Sequence, residues 1–172
     1  MSPIINLQLA RRLDAEPIAK MSRDLIEAGL GWSWTPARVA AQIRCRTTIV
    51  VVARCGVDMA GFGIMQLTRE TAHLNLFAVA PARQRLGVGR RLFRWLEEAA
   101  LIAGVATIQL EVRASNRAGR SFYTSLGFEE VLRLPGYYQG RETAVRMARF
   151  LRMSDDLAAL FTQGRDFASG RV

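Results

Sequence analysis

Hydrophobic and polar positions change their period several times along the chain, and each change marks an element. Residues 107–113 set Ile108, Leu110 and Val112 against Thr107, Gln109 and Glu111, the alternation of a strand with one buried face. Residues 88–103 follow a helical repeat instead, with Val88, Leu92, Trp95, Leu96 and Ala99 along one side. β-Branched residues crowd positions 47–54, and Cys55-Gly56-Val57-Asp58 reads as a turn into a second strand at 59–67. A further strand follows at 72–79.

Residues 4–9 form a first strand, and residues 14–28 a helix with Asp14 as its cap, Pro17 in its first turn and Gly29 after its end. Thr35-Pro36 opens a second helix, a cap followed by proline at the first helical position. Between them Gly31-Trp32-Ser33-Trp34 is a loop with two large aromatics. Asn116 caps a helix that buries Ala118, Phe122 and Leu126 and ends at Leu126-Gly127. Residues 128–133 and 143–150 are closing strands, and 154–163 a short extra helix. The order is strand, two helices, three strands, helix, strand, helix, two strands. That is a mixed α/β sheet, not a repeating βαβ array.

The length, 172 residues, suits one domain with a sizeable core. No apolar run approaches the ~20 residues of a membrane helix. The N-terminus places its arginines after a short apolar run, the reverse of a secretory signal, so a cytoplasmic protein is expected. Cys45 and Cys55 lack metal-ligand or CxxC spacing, and His73 is the lone histidine, so no metal site is expected. The net charge is +9, and every basic residue but Lys20 is arginine. Such an excess fits a genome-wide arginine bias or an anionic ligand equally well. No basic run interleaves with aromatics, so nucleic acid is not the expected partner.

The chemistry concentrates in Gln84-Arg85-Leu86-Gly87-Val88-Gly89-Arg90, between a strand and a helix. Glycines let backbone amides approach phosphate oxygens, and a helix N-terminus adds its positive dipole. An ordinary tight turn would also use small residues here. A P-loop needs Lys-Ser/Thr after the second glycine, where this chain has Arg90-Arg91. A dinucleotide fingerprint needs a third Gly or Ala, where this chain has Leu92. It also starts its glycines at the strand end, whereas residues 80–86 intervene here.

The stretch LFAVAPARQRLGVGRRLFRWLEEAA resembles the acetyl-CoA-binding signature of the GNAT superfamily of N-acetyltransferases, Gln/Arg-x-x-Gly-x-Gly/Ala, met here by Gln84, Gly87 and Gly89. The run LEVRASNRAGRSFYTSLGF, with Trp32-Ser33 upstream and Tyr137-Tyr138 and Gly140-Arg141-Glu142 downstream, resembles the bacterial ribosomal-protein alanine N-acetyltransferases. The similarity covers residues 4–150, which implies a GNAT domain over 1–150 and a C-terminal extension over 151–172. It implies a mixed, mostly antiparallel sheet whose fourth and fifth strands splay apart, with flanking helices. Coenzyme A would lie in that gap. Its pyrophosphate would meet the amides of Arg85, Leu86, Gly87, Val88, Gly89 and Arg90. Phe77, Ala78 and Val79 would hold the pantetheine, and Asn116 would touch the cofactor arm, although a helix cap alone explains that residue.

Direct transfer from a thioester to an amine needs a base, oxyanion donors and an acid for the thiolate, but no serine or cysteine nucleophile. Glu111 on its strand's polar face is either a solvated carboxylate paired with an arginine or, as the resemblance implies, the base. Tyr123 is either a packed tyrosine or, by the same resemblance, the acid. His73 reads as a strand residue rather than a catalyst. Trp32, Trp34, Tyr137 and Tyr138 are candidates to line the acceptor site or to pack. The resemblance implies a protein N-terminal amine as acceptor. A polyamine, amino acid or antibiotic, or a nonenzymatic coenzyme A-binding role, are the alternatives.

Overall fold

The structure, a computed structural model, describes residues 4–151. The remainder of the extension, with the helix expected at 154–163, lies outside the described residues. The elements run β1 (Ile5–Leu9), α1 (Ala15–Leu25), α2 (Pro36–Arg44), β2 (Thr48–Cys55), β3 (Asp58–Leu67), β4 (Thr71–Val79), α3 (Val88–Ile102), β5 (Thr107–Arg113), α4 (Arg117–Ser125), β6 (Glu129–Tyr138) and β7 (Glu142–Phe150). The strands form one sheet in the order β1-β2-β3-β4-β5-β7-β6. Every pairing is antiparallel except β4 with β5, which α3 connects. A parallel pair needs such a crossover.

The sheet is apolar on both faces because helices cover both. On one, Val88, Leu92, Phe93, Leu96 and Ala100 of α3 pack on Ile108, Leu110, Val112, Val145 and Met147. On the other, Ile18 and Ala19 of α1 and Val39 of α2 pack on Val50, Val52, Phe62, Ile64, Leu76 and Ala78. This explains the unbroken apolar run of β2, a central strand buried on two sides. Gly61 and Gly63 let α3 approach β3 closely. A Cβ on Gly63 would stand 2.7 Å from the Leu96 side chain.

A bulge in β4 changes which face its side chains meet. Leu74 pairs with Met65 and Leu76 with Ile64, so Asn75 is the extra residue. Ala72 and Leu74 accordingly pack on the α3 face, whereas Leu76 and Ala78 pack on the α1–α2 face.

Several expectations need correction. Asp14 does not cap α1 through its side chain. It accepts the Arg11 N–H at 2.7 Å and pairs with Arg54, bracing the short turn at Arg12–Asp14. Helix α1 stops at Leu25, not at residue 28, because Ile26 and Ala28 turn their carbonyls to the Arg113 guanidinium, at 2.9 and 2.7 Å. In α3 the buried stripe includes Phe93 and Ala100, while Trp95 and Ala99 are half-buried. In α4 Ala118 is exposed, and Phe122, Tyr123 and Leu126 carry the packing. Strand β6 runs through Pro135-Gly136 to Tyr138, tolerated because it is an edge strand with a register shift between Leu134 and Tyr138.

Candidate active site

The site is a split in the sheet. Strands β4 and β5 pair only at Thr71–Thr107, Ala72–Ile108 and His73–Gln109. Beyond that, β4 stays with β3 as far as Val79, and β5 stays with β7 as far as Arg113. The edge of β4 away from β3 is therefore left without a strand partner over Phe77, Ala78 and Val79, facing the opening. The expected splaying of the fourth and fifth strands is present.

The glycine loop closes one end of the split. The Gln84 side-chain amide donates to the Val79 carbonyl at 3.1 Å and braces the loop on the strand end. Arg85 and Gly87 both adopt positive φ, 62° and 79°. Among the described residues the N–H groups of Arg85, Leu86 and Gly87 make no hydrogen bond within the protein. Gly87 offers no side-chain cap to α3, whose first amides, at Val88, Gly89 and Arg90, lack intrahelical acceptors as in any helix. A row of amide donors thus converges at a positive dipole end, with Arg85 and Arg90 exposed beside it. Gly89 has another task. A Cβ there would stand 3.1 Å from the Phe122 ring and 3.4 Å from Val79, so Gly89 lets α4 pack against α3. Asn116 caps α4, accepting the Gly119 N–H at 2.9 Å.

Glu111 and Tyr123 approach the split from opposite faces. Glu111 alternates with Leu110 and Val112, which pack toward α3, so its carboxylate lies on the α1–α2 face. Its Oε2 stands 2.6 Å from His73 Nε2, and its Oε1 accepts from Arg146 Nε at 2.7 Å. Burial alone would raise its pKa. The hydrogen bonds from His73 and Arg146 outweigh burial and hold it below the usual carboxylate range. His73 shifts the other way, because its bond to Glu111 outweighs burial. His73 Nδ1 lies 2.6 Å from Asn75 Oδ1, so the bulge residue orients the imidazole.

Tyr123 packs edge-on to Phe77, Phe122 and Phe128, with centroids 5.4–6.4 Å away. Burial, then the neighbouring Tyr138, push its pKa well above the ordinary value, so it carries its proton at neutral pH. Tyr138 is pushed up to about 12 by burial, with Tyr137 and Glu111 adding to it. Tyr137 meets Tyr138 at 5.0 Å and is raised by burial and then Glu111. These three tyrosines and Glu111 form one electrostatic neighbourhood spanning the split.

Arg113, two residues beyond Glu111, ties the surrounding loops together. Besides the Ile26 and Ala28 carbonyls it donates to Glu142 at 2.9 Å and lies 5.7 Å from the Tyr138 ring. Buried Glu27 then pins the aromatic loop, accepting the Ser33 N–H and hydroxyl, both at 2.7 Å, and the Trp34 N–H. Trp34 packs on the α1–α2 core with Arg38 4.1 Å above it, while Trp32 stays exposed beneath Arg23. Among the described residues no three His, Cys, Asp or Glu side chains gather as a metal site would need.

His73 lies on strand β4 as read from the sequence, and its ring is in addition bonded to the proposed base, a contact that reading did not include. Asn75, Arg146, Arg113 and Glu27 were not singled out from the sequence. Arg146 was within reach, because it lies directly across the β5–β7 ladder from Glu111. The others depend on a bulge and on loop contacts that leave no periodic signal.

A sequence model of the acetyltransferase (GNAT) family matches residues 19–128. The [ribosomal protein bS18]-alanine N-acetyltransferase of Escherichia coli K12 is 46% identical over 93 residues, 52% of this chain. That alignment spans 63% of the relative, less than two thirds of its length. The N-alpha-acetyltransferase RimI of Mycobacterium tuberculosis is 33% identical over 132 residues, covering 74% of this chain and 80% of that protein. The crystal structure of the ribosomal-protein-S18-alanine N-acetyltransferase from Escherichia coli superposes with a TM-score of 0.75 at 31% identity, covering 89% of this chain and 97% of that one.

Proposed function

The chain belongs to the acetyltransferase (GNAT) family, and from that premise we propose that it moves the acetyl group of acetyl-CoA directly to the α-amine of a protein N-terminus. The observation that carries the proposal is the split itself. It has unpartnered amides at one end, a carboxylate on one face and a protonated tyrosine on the other. The amides of Arg85 to Arg90 take the pyrophosphate, and Phe77, Ala78 and Val79 hold the pantetheine by strand-like bonds. Backbone donors at the strand end stabilise the oxyanion. Glu111 draws the proton from the amine, which attacks the thioester carbonyl. Tyr123 protonates the departing thiolate. Asn116 orders α4, and with it Tyr123.

The acceptor follows from chemistry and from resemblance. An α-amine of pKa near ~8 costs about 1.4 kcal/mol to neutralise at pH 7, whereas lysine near ~10.4 costs about 4.6. A base with a depressed pKa suits the easier task. The curated relatives named above act on an N-terminal alanine or α-amine. The nearby carboxylates Glu27, Glu111 and Glu142 are all engaged by protein donors, which leaves little for a polyamine. Such an acceptor places the reaction in the cytoplasm.

The test is labelled acetyl-CoA offered to peptides beginning with Ala, Ser or Met, beside spermidine and an internal-lysine peptide. Label on the N-terminal peptides is expected. Label on spermidine or lysine alone would move the enzyme to the small-amine or lysine class.

A further inference from the structure

His73 stands where a proton could leave the site. Glu111 is nearly sealed, its side chain 6% exposed, whereas the His73 side chain is 39% exposed and touches it at 2.6 Å. We propose that His73 is a positioning residue that also receives the substrate's proton, so that Glu111 and His73, its ring oriented by Asn75, form a relay from the acceptor amine to solvent. This rests on the acetyltransferase reading above.

The ring has two oxygen partners, Asn75 Oδ1 and Glu111 Oε2. A doubly protonated imidazolium satisfies both with its N–H groups. In the neutral ring, Nδ1–H donates to Asn75 and the Nε2 lone pair faces Glu111. That neutral form is the state able to accept. The N–H bond of the substrate ammonium breaks, its proton crosses a Glu111 oxygen, and the Nε2–H bond forms. The free amine then adds to the thioester carbonyl. As the C–S bond breaks, Tyr123 gives its proton to sulfur, and the second proton of the nitrogen passes to the resulting phenolate oxygen, which restores Tyr123. The net proton leaves through the exposed imidazole.

The geometry explains why Glu111 needs the relay. Arg146 holds one of its oxygens throughout, and His73 holds the other once Nε2 is protonated, so Glu111 is a weak terminal base. His73, shifted upward, holds a proton far better near neutrality. The charged and titratable groups facing the pair are Arg146 on β7, which opposes protonation of His73, and Tyr137 and Tyr138 on β6. On β3 the cross-strand partner of His73 is uncharged Gln66. Below the raised His73 pKa the relay is already loaded. Activity therefore falls as pH drops through that value.

His73 is the lone histidine, so a ring-labelled sample gives one NMR titration curve. Its pKa is expected above the ordinary value of 6.5, and Glu111→Gln should lower it. With whichever amine is turned over, the acid limb of kcat/KM should coincide with that NMR pKa. His73→Gln should remove the limb and lower the rate roughly 10-fold or more at pH 8, with KM for acetyl-CoA unchanged. An intact limb in His73→Gln, or a His73 titration indifferent to Glu111→Gln, overturns the relay. The NMR arm needs no substrate, so a wrong acceptor assignment leaves it decisive.

Discussion

Gly87 and Gly89 differ in what they do, although the motif treats them alike. Gly89 is small because Phe122 stands where its Cβ would be, whereas Gly87 has open space around it and a φ of 79°. An acidic residue at 89 would disturb the α3–α4 packing and confuse a binding test. Gly87→Asp is the cleaner probe. Aspartate tolerates positive φ better than most residues and is a favoured helix cap. It would place a carboxylate among the free amides. Melting should shift by no more than the roughly 2–4 °C that about 1 kcal/mol produces in a chain this size. Affinity for coenzyme A, measured by calorimetry, should fall at least ~10-fold, about 1.4 kcal/mol of lost binding. Unchanged affinity would take the loop out of the cofactor site. The loop and its glycines were legible in the sequence, but the different reasons for each glycine were not. Those depend on which neighbour the missing side chain would meet.

Among elements, the strand order and the split were legible to different degrees and for different reasons. Alternation located β5, and the β-branched run located β2, because burial on one or two faces writes itself into residue type. The splay came from resemblance alone, since strands that cease to pair keep their alternation. The bulge at Asn75 left no mark either, and with it went the relation of His73 to Glu111. The end of α1 was misplaced because its stop signal is Arg113, about ninety residues away. That arginine joins α1, β5 and the β6–β7 hairpin. Arg113→Met keeps an unbranched apolar stem and removes the donors, leaving Glu142 unpaired and the Ile26 and Ala28 carbonyls without their partner. A loss of about 1.5–3 kcal/mol is expected for hydrogen bonds to a charged group. The kinetic expectation is narrower: KM for the acceptor peptide rises several-fold while KM for acetyl-CoA holds, because the loop and hairpin carrying Trp32, Trp34 and Tyr138 are freed and the glycine loop is not. Equal rises in both constants would show a general loosening of the fold instead.

For the molecule as a whole, the open question is whether its charge of +9 serves the reaction. The two substrates of the proposed reaction answer differently. Acetyl-CoA is an anion, and a cationic molecule with Arg85 and Arg90 beside free amides steers it inward. A peptide rich in basic residues is repelled by the same field, and the carboxylates that would offset this are engaged by Arg113, Arg146 and backbone donors. Salt separates the two effects, because the screening length shrinks from ~30 Å at 0.01 M to ~8 Å at 0.15 M. Raising ionic strength across that range should lower kcat/KM for acetyl-CoA several-fold. With a basic N-terminal peptide, kcat/KM should rise or hold, and with an acidic one it should fall. If salt leaves all three unchanged, the arginine excess does not act on catalysis and is a compositional habit of the chain. If the basic peptide also weakens with salt, an acidic surface guides the acceptor, and the carboxylates now paired within the protein must open to receive it.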